Sequence, residues 1–233
     1  MSPKVKDEDG WSGEPLPRGR HKLPREAVRA SQRERLLRAM GELAGERGYE
    51  ATTVPQVIAA ARVSSNTFYS FFRDKTDCFI ALCEELGDEL FAQITAFSAD
   101  AADPADALAN FDRGLEAYLR WWQDRPALAR AYFVELPAAG PRAAEERTRQ
   151  YERFAAVHRD VAARARAFLP DAPPLRDVEV HAAIVVMTEL VAEEVRAGRL
   201  DHLAAIAPEL RYVLLKLLVG DAAAQVAAGL DKE

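Results

Sequence analysis

The chain has 233 residues, 49% of them apolar and 29% charged, with a formal net charge of −6. That is enough apolar material for one large or two small cores, and no run approaches the ~18 apolar residues a membrane span requires. The first residues, MSPKVKDEDGWSGEPLPRGRHK, lack a hydrophobic signal core, so a cytoplasmic protein with no membrane partner is expected.

In chain order, residues 1–23 are rich in Pro, Gly and charge and read as a disordered arm. A first helix is predicted from 24 or 32 to 47. Ser31 and Glu34 have capping-box spacing, Leu36, Met40, Leu43 and Ala44 form one apolar stripe, and Gly48 ends it. Thr53 is placed to cap VPQVIAAA, with Pro55 in the first turn and Gln56 completing a capping box. Ser64 caps SNTFYSFF, and Asp74, with Asp77 three residues on, caps a helix from about 75 to 98. Longer helices follow at about 104–123, 126–136, 142–168, 175–197 and 208–219, with prolines near their starts, and then a short tail helix. Strand-like alternation is absent, so nine or ten helices make an all-α fold. The expected divisions are an arm (1–23), a helix-turn-helix domain (24–75) and one helical body (76–233). Cys78 and Cys83, five apart in an apolar run, read as buried reduced thiols.

Charge is unevenly distributed along this series. Between Arg18 and Lys75, twelve Lys and Arg face six Asp and Glu, a balance of +6, whereas residues 76–233 carry −10. A basic head on an acidic body is the pattern of a chain of which one part meets a polyanion. The basic segment RGRHKLPR, residues 18–25, adds either diffuse attraction or a minor-groove contact.

Two short helices joined by the turn ARVS and buttressed by an amphipathic first helix make a helix-turn-helix, whose second short helix enters the major groove of double-stranded DNA. Ser64, Ser65, Asn66 and Thr67 occupy the N-terminal end of that helix, where small polar side chains can approach base edges and phosphates. The Tyr69 hydroxyl can reach a phosphate, and Lys75 adds a point charge at the next helix start. Phe68, Phe71 and Phe72 read as core.

The stretch from Arg33 to Phe79 resembles the DNA-binding domain of the TetR family of transcriptional repressors. Gly48, Tyr49, Thr52, Thr53, Val54, Val63, Ser64, Thr67, Phe68, Tyr69, Phe72 and Lys75 match its pattern in register over about residues 32–80. The resemblance implies Thr53, Tyr69 and Lys75 as phosphate contacts, Ser64 to Thr67 as the base-reading end, a helical ligand domain, and homodimers formed through the last two large helices. Two positions depart from the family: Arg62 stands at the usual turn glycine, and Ile58 at a usual alanine. An activator with the same DNA contacts and a protein-interaction module without DNA are the alternatives.

In the body, Phe111, Leu115, Tyr118 and Trp122 recur at helical spacing and make one aromatic face, either plain core or the wall of a pocket for a largely hydrophobic small-molecule effector. Tyr132, Phe133, Phe154 and Met187 are further candidates for that pocket. The segment AAIVVM (182–187) is apolar all round, and Ile206, Leu210, Val213, Leu214, Leu217 and Leu218 form a broad stripe suited to core or to a dimer interface. No nucleophile with a base, carboxylate pair or phosphate loop has the spacing of an enzyme site, and the histidines have no metal-ligand spacing, so neither catalysis nor a cofactor is expected.

Overall fold

The computed structural model describes residues 24–96, 101–169 and 174–220. The basic arm and the tail helix lie outside these residues. Every regular element among the described residues is helical: α1 (Arg25–Arg47), α2 (Val54–Ala61), α3 (Ser65–Tyr69), α4 (Lys75–Thr95), α5 (Pro104–Gln123), α6 (Pro126–Arg130), a π-helical turn (Ala131–Glu135), α7 (Leu136–Ala138), α8 (Pro141–Arg166), α9 (Asp177–Arg196), a 3-10 turn (Leu200–Ala204) and α10 (Ala207–Leu218).

These residues divide into two compact units that do not follow a break at residue 75. The head comprises residues 24–85 together with 124–144, and the body comprises 86–123 with the described residues from 145 onward. The expected 75/76 boundary coincides with the start of α4, a continuous helix that contributes to both units, and α4 is not the sole connection, because the chain passes between the units three times.

In the head, α1 takes the earlier of its two expected starts. Arg29 lies over the Phe71 ring at 4.5 Å and Arg33 pairs with Glu85 at 2.8 Å, so the first turns have partners and Ser31 sits inside the helix. Leu36, Leu37, Met40 and Ala44 are buried with Val57, Phe68, Phe79 and Leu82. Gly41 and Gly45 leave room for α6: a Cβ on Gly45 would collide with the Ala127 backbone, and one on Gly41 would press on Leu128. Two absent side chains thus let α6, some eighty residues later, pack directly on α1.

The Ser31–Glu34 cap does not form, since α1 already runs through both residues, but the other three expected caps do. Gln56 Oε1 accepts from the Thr53 N–H at 2.9 Å, Ser64 Oγ accepts from the Thr67 N–H at 3.1 Å, and Asp74 Oδ1 accepts from the Asp77 N–H at 2.8 Å. Gly48 ends α1 at φ 89°. The α2–α3 turn adopts the left-handed conformation at Arg62, φ 54° and ψ 49°, which is unfavourable for a residue with a Cβ. Arg35 braces this turn, its Nη1 donating to the Ala61 carbonyl at 2.9 Å. Because the Arg62 side chain is exposed, Arg62→Gly should stabilise the head by about 1 kcal/mol, read as a melting midpoint raised by roughly 2–4 °C. An unchanged or lower midpoint would show that Arg62 makes a contact outweighing its backbone strain.

In the body, α5, α9 and α10 enclose a core of Leu119, Trp121, Trp122, Ile184, Val191, Leu203 and Leu210, all buried. Arg211 of α10 donates through Nε to Asp112 Oδ1 of α5 at 2.7 Å. Glu146 and Gln150 are each 1% exposed and hydrogen-bond to one another. Gly87 of α4 abuts the Gln150 amide so closely that a side chain there would require Gln150 to move.

Candidate nucleic-acid interface and effector cavity

The proposed reading helix α3 has one buried side and one open side. Phe68 is fully buried and Phe72 nearly so, with ring centroids 5.6 Å apart. Ser65 and Asn66 are exposed and Tyr69 is 59% exposed, an unusual position for so much ring surface. Ser64 and Thr67 have a further task, since their hydroxyls hydrogen-bond to each other at 2.9 Å while Ser64 caps the helix. Thr53 is also exposed, and its hydroxyl donates to Gln56 Oε1 at 3.0 Å. Of the base-reading candidates, Ser65 and Asn66 therefore project to solvent, while Ser64 and Thr67 set the helix start.

Lys75 has a structural role that its position in the sequence does not disclose. Its Nζ donates to the Tyr49 carbonyl at 2.8 Å and to the Glu50 carbonyl at 3.4 Å, and sits 4.0 Å from the centre of the Tyr49 ring. Two of the three ammonium donors thus hold the loop between α1 and α2. The same loop is fixed from the π-helical turn, where Glu135 Oε2 accepts from the Tyr49 N–H at 2.8 Å while Arg130 pairs with Glu135 at 3.4 Å. Burial pushes the Tyr49 phenol above its ordinary pKa, with its hydrogen bond to Thr76 acting in the opposite direction. Tyr49 therefore stays a neutral pin between the loop and α4.

The body contains an apolar cavity of about 190 Å³. Phe111, Leu115, Tyr118, Phe154 and Met187 line it, five of the eight residues expected of a pocket. Trp122, Tyr132 and Phe133 do not. Trp122 is on the α5 face that carries Tyr118 but lies in the body core, 1% exposed, and Tyr132 and Phe133 belong to the π-helical turn in the head, where they are buried.

Sequence reasoning missed other wall residues. Leu214, Leu215 and Leu218 of α10 face the cavity, so much of the stripe assigned to core or dimer interface is closed within the chain. His158 and Arg164 of α8 complete the polar part with Asn110 and Tyr118. His158 Nδ1 lies 2.8 Å from the Phe154 carbonyl, which can only accept, so Nδ1 carries the proton and Nε2 is the acceptor of the neutral ring. Burial lowers the His158 pKa, with the Phe154 hydrogen bond acting against it. Burial raises that of Tyr118, with the neighbouring Trp122 side chain acting against it. Both groups are uncharged near neutral pH. The helical period of α8 carried the available signal, since Phe154, Val157, His158, Val161, Arg164 and Phe168 follow one face.

A capped five-residue helix with an exposed polar end, set by a buried aromatic anchor behind a bracing first helix, defines a helix-turn-helix. Residues 36–82 match the family described as bacterial regulatory proteins, tetR family. The transcriptional regulator AcuR of Cereibacter sphaeroides is 38% identical over 96 residues, 40% of this chain and 43% of that protein, so the similarity spans less than half of the curated relative. Among solved structures, FadR of Bacillus subtilis in complex with stearoyl-CoA aligns over 80% of this chain and 98% of its own, with a TM-score of 0.69 and 17% identity. SmeT, the repressor of the Stenotrophomonas maltophilia multidrug efflux pump SmeDEF, aligns over 82% and 92% with a TM-score of 0.65 and 16% identity. At those identities the structures speak to fold. The family match thus lies within the head, over the three helices of the helix-turn-helix and the start of α4.

Proposed function

We propose that the chain is a repressor that binds a two-fold symmetric DNA operator as a homodimer and releases it when a small, largely hydrophobic molecule enters the body cavity. The observation that carries the DNA reading is the two-sidedness of α3: Phe68 fully buried, with Ser65, Asn66 and Tyr69 projecting to solvent. In this reading Asn66 and Ser65 meet base edges. Thr53, Tyr69 and the remaining donor of Lys75 meet phosphates, and Ser64 and Thr67 hold the helix start.

The dimer is supported by Val178 and Val185 of α9 and Tyr212 of α10, which are 64%, 40% and 50% exposed in the single chain. Val178 and Val185 lie two helical turns apart on one side of α9, a spacing suited to a paired helix face. One head reads too few base pairs for useful selectivity, whereas two heads can engage successive major-groove faces about 34–36 Å apart. FadR, solved in complex with stearoyl-CoA, supports a body that takes apolar molecules. Such a molecule displaces the operator only by binding the DNA-incompetent arrangement more tightly, and antagonism of about 1–3 kcal/mol is expected in both directions.

The test is a titration of the chain with duplexes selected from a random pool. Two chains per symmetric duplex are expected, and Asn66→Ala should relax the preferred site at a cost of about 1–3 kcal/mol per half-site. A mutant that selects the same consensus as its parent would remove Asn66 from base reading, and failure of the parent to select any duplex would overturn the DNA reading itself.

A further inference from the structure

The cavity wall on α8 runs from Phe154 to Arg164, about 15 Å of helix at ~1.5 Å per residue, and continues past the helix end to Phe168 and Leu169. The space is therefore elongated, and an extended chain suits it better than a compact ring system. The chemistry along it is uneven. Phe154, Val157 and Val161 are apolar, whereas Arg164 lies farther along, its side chain 37% exposed, so that it reaches water at the rim. Among the described residues no aspartate or glutamate lines the cavity. His158 is neutral with its proton committed to the Phe154 carbonyl, which leaves Arg164 as the formal charge of the lining. Arg164 hydrogen-bonds to Asp160 through Nε at 3.1 Å and Nη2 at 2.9 Å, an i,i+4 pair whose carboxylate is 54% exposed. Pairs of that kind contribute little to stability, so the guanidinium can turn to a second anion at small cost. Burying an apolar tail and pairing a carboxylate with a fork of donors at the mouth would cover the apolar wall and answer the guanidinium.

We infer that the effector is an elongated apolar monocarboxylate, its chain lying along α8 between Phe154 and Met187 and its acid group held by Arg164. The inference rests on the cavity being the effector site and goes beyond it by naming the class of molecule. From Phe154 to Arg164 is about 15 Å of helix, a length that an extended dodecyl chain fills. A cationic head would meet Arg164 with like charge, and a neutral one would forgo the charge-assisted hydrogen bonds.

The test uses the full chain and three probes that share a tail: dodecanoate, dodecanol and dodecyltrimethylammonium, each below its micellar concentration, with affinity read by calorimetry and operator release by fluorescence anisotropy. Dodecanoate should bind about tenfold or more tightly than dodecanol, with the ammonium weakest. Arg164→Gln should bring dodecanoate and dodecanol within about threefold of each other while leaving dodecanol affinity near its parent value. Leu115→Trp, or Met187→Trp, whichever retains the parent's operator affinity, should abolish binding of every probe by filling the cavity. Equal affinity for acid and alcohol, an acid preference that survives Arg164→Gln, dodecanoate binding untouched by the filled cavity, or no binding of any probe would each overturn the inference. Tight, Arg164-dependent dodecanoate binding that leaves the operator bound would sustain the ligand assignment and overturn effector control of DNA instead.

Discussion

Replacing Trp122 with alanine should lower the stability of the body by about 3–5 kcal/mol and its melting midpoint by roughly 6–20 °C. The side chain is 1% exposed and its ring meets that of Trp121 edge-on with centroids 4.6 Å apart. Truncation removes that packing and leaves a void that neighbouring helices only partly fill. Because Trp122 is not on the cavity wall, the effector affinity of the folded fraction should stay near that of the parent. Thermal unfolding with calorimetric titration below the midpoint separates the two quantities. A variant that melts within about 2 °C of the parent but loses its ligand response would return Trp122 to the pocket and contradict the packing described above.

Phe68→Ala should be as costly, about 3–5 kcal/mol, but the damage falls on the head and removes operator binding. A five-residue helix has no stability of its own. The orientation of α3 comes from Phe68, fully buried, with Phe72 beside it and the Tyr69 ring edge-on at 5.2 Å. Without that anchor the exposed polar end has no fixed direction, and base contacts that need placement to a fraction of an ångström are lost. Hydrogen exchange should show faster exchange across 54–72 with little change in the body, while specific DNA binding disappears at salt concentrations where the parent binds. Retained site selection by Phe68→Ala would mean that α3 is positioned by the DNA rather than by its core.

The helix-turn-helix was legible because its signals are local. Thr53 with Gln56, Ser64 with Thr67, and Asp74 with Asp77 each cap over three residues, and Phe68 and Phe72 show which side turns inward. What depends on distant parts of the chain was not legible. The partner of Lys75 is a backbone carbonyl twenty-six residues earlier, a group every residue possesses. Helix periodicity put Phe111, Leu115, Tyr118 and Trp122 on one face, but a period gives direction and not depth, so it could not show that the cavity stops short of Trp122. Tyr132 and Phe133 read as pocket aromatics for the same reason, although the glycines of α1 draw their segment to the head. Arg164 was passed over because one arginine among many on a helix carries no signal until its neighbours are known to enclose a space.

The two-part make-up of the head has a consequence for how the protein is made. When the ribosome has finished α3 and the start of α4, Gly41 and Gly45 still face water, because α6 and the π-helical turn that cover α1 come from residues 124–144. Joining the two pieces closes the 38 residues from 86 to 123, an entropic cost of roughly 3 kcal/mol on the logarithmic loop law. That cost falls when those residues fold into the body and hold the ends together. The nascent head is accordingly an incomplete core during translation, with Tyr49 still lacking Glu135 as the acceptor of its backbone N–H. A product that terminates early carries the whole reading helix without the segment that steadies it. Completion of the head therefore arrives late in synthesis, well after the residues proposed to touch DNA.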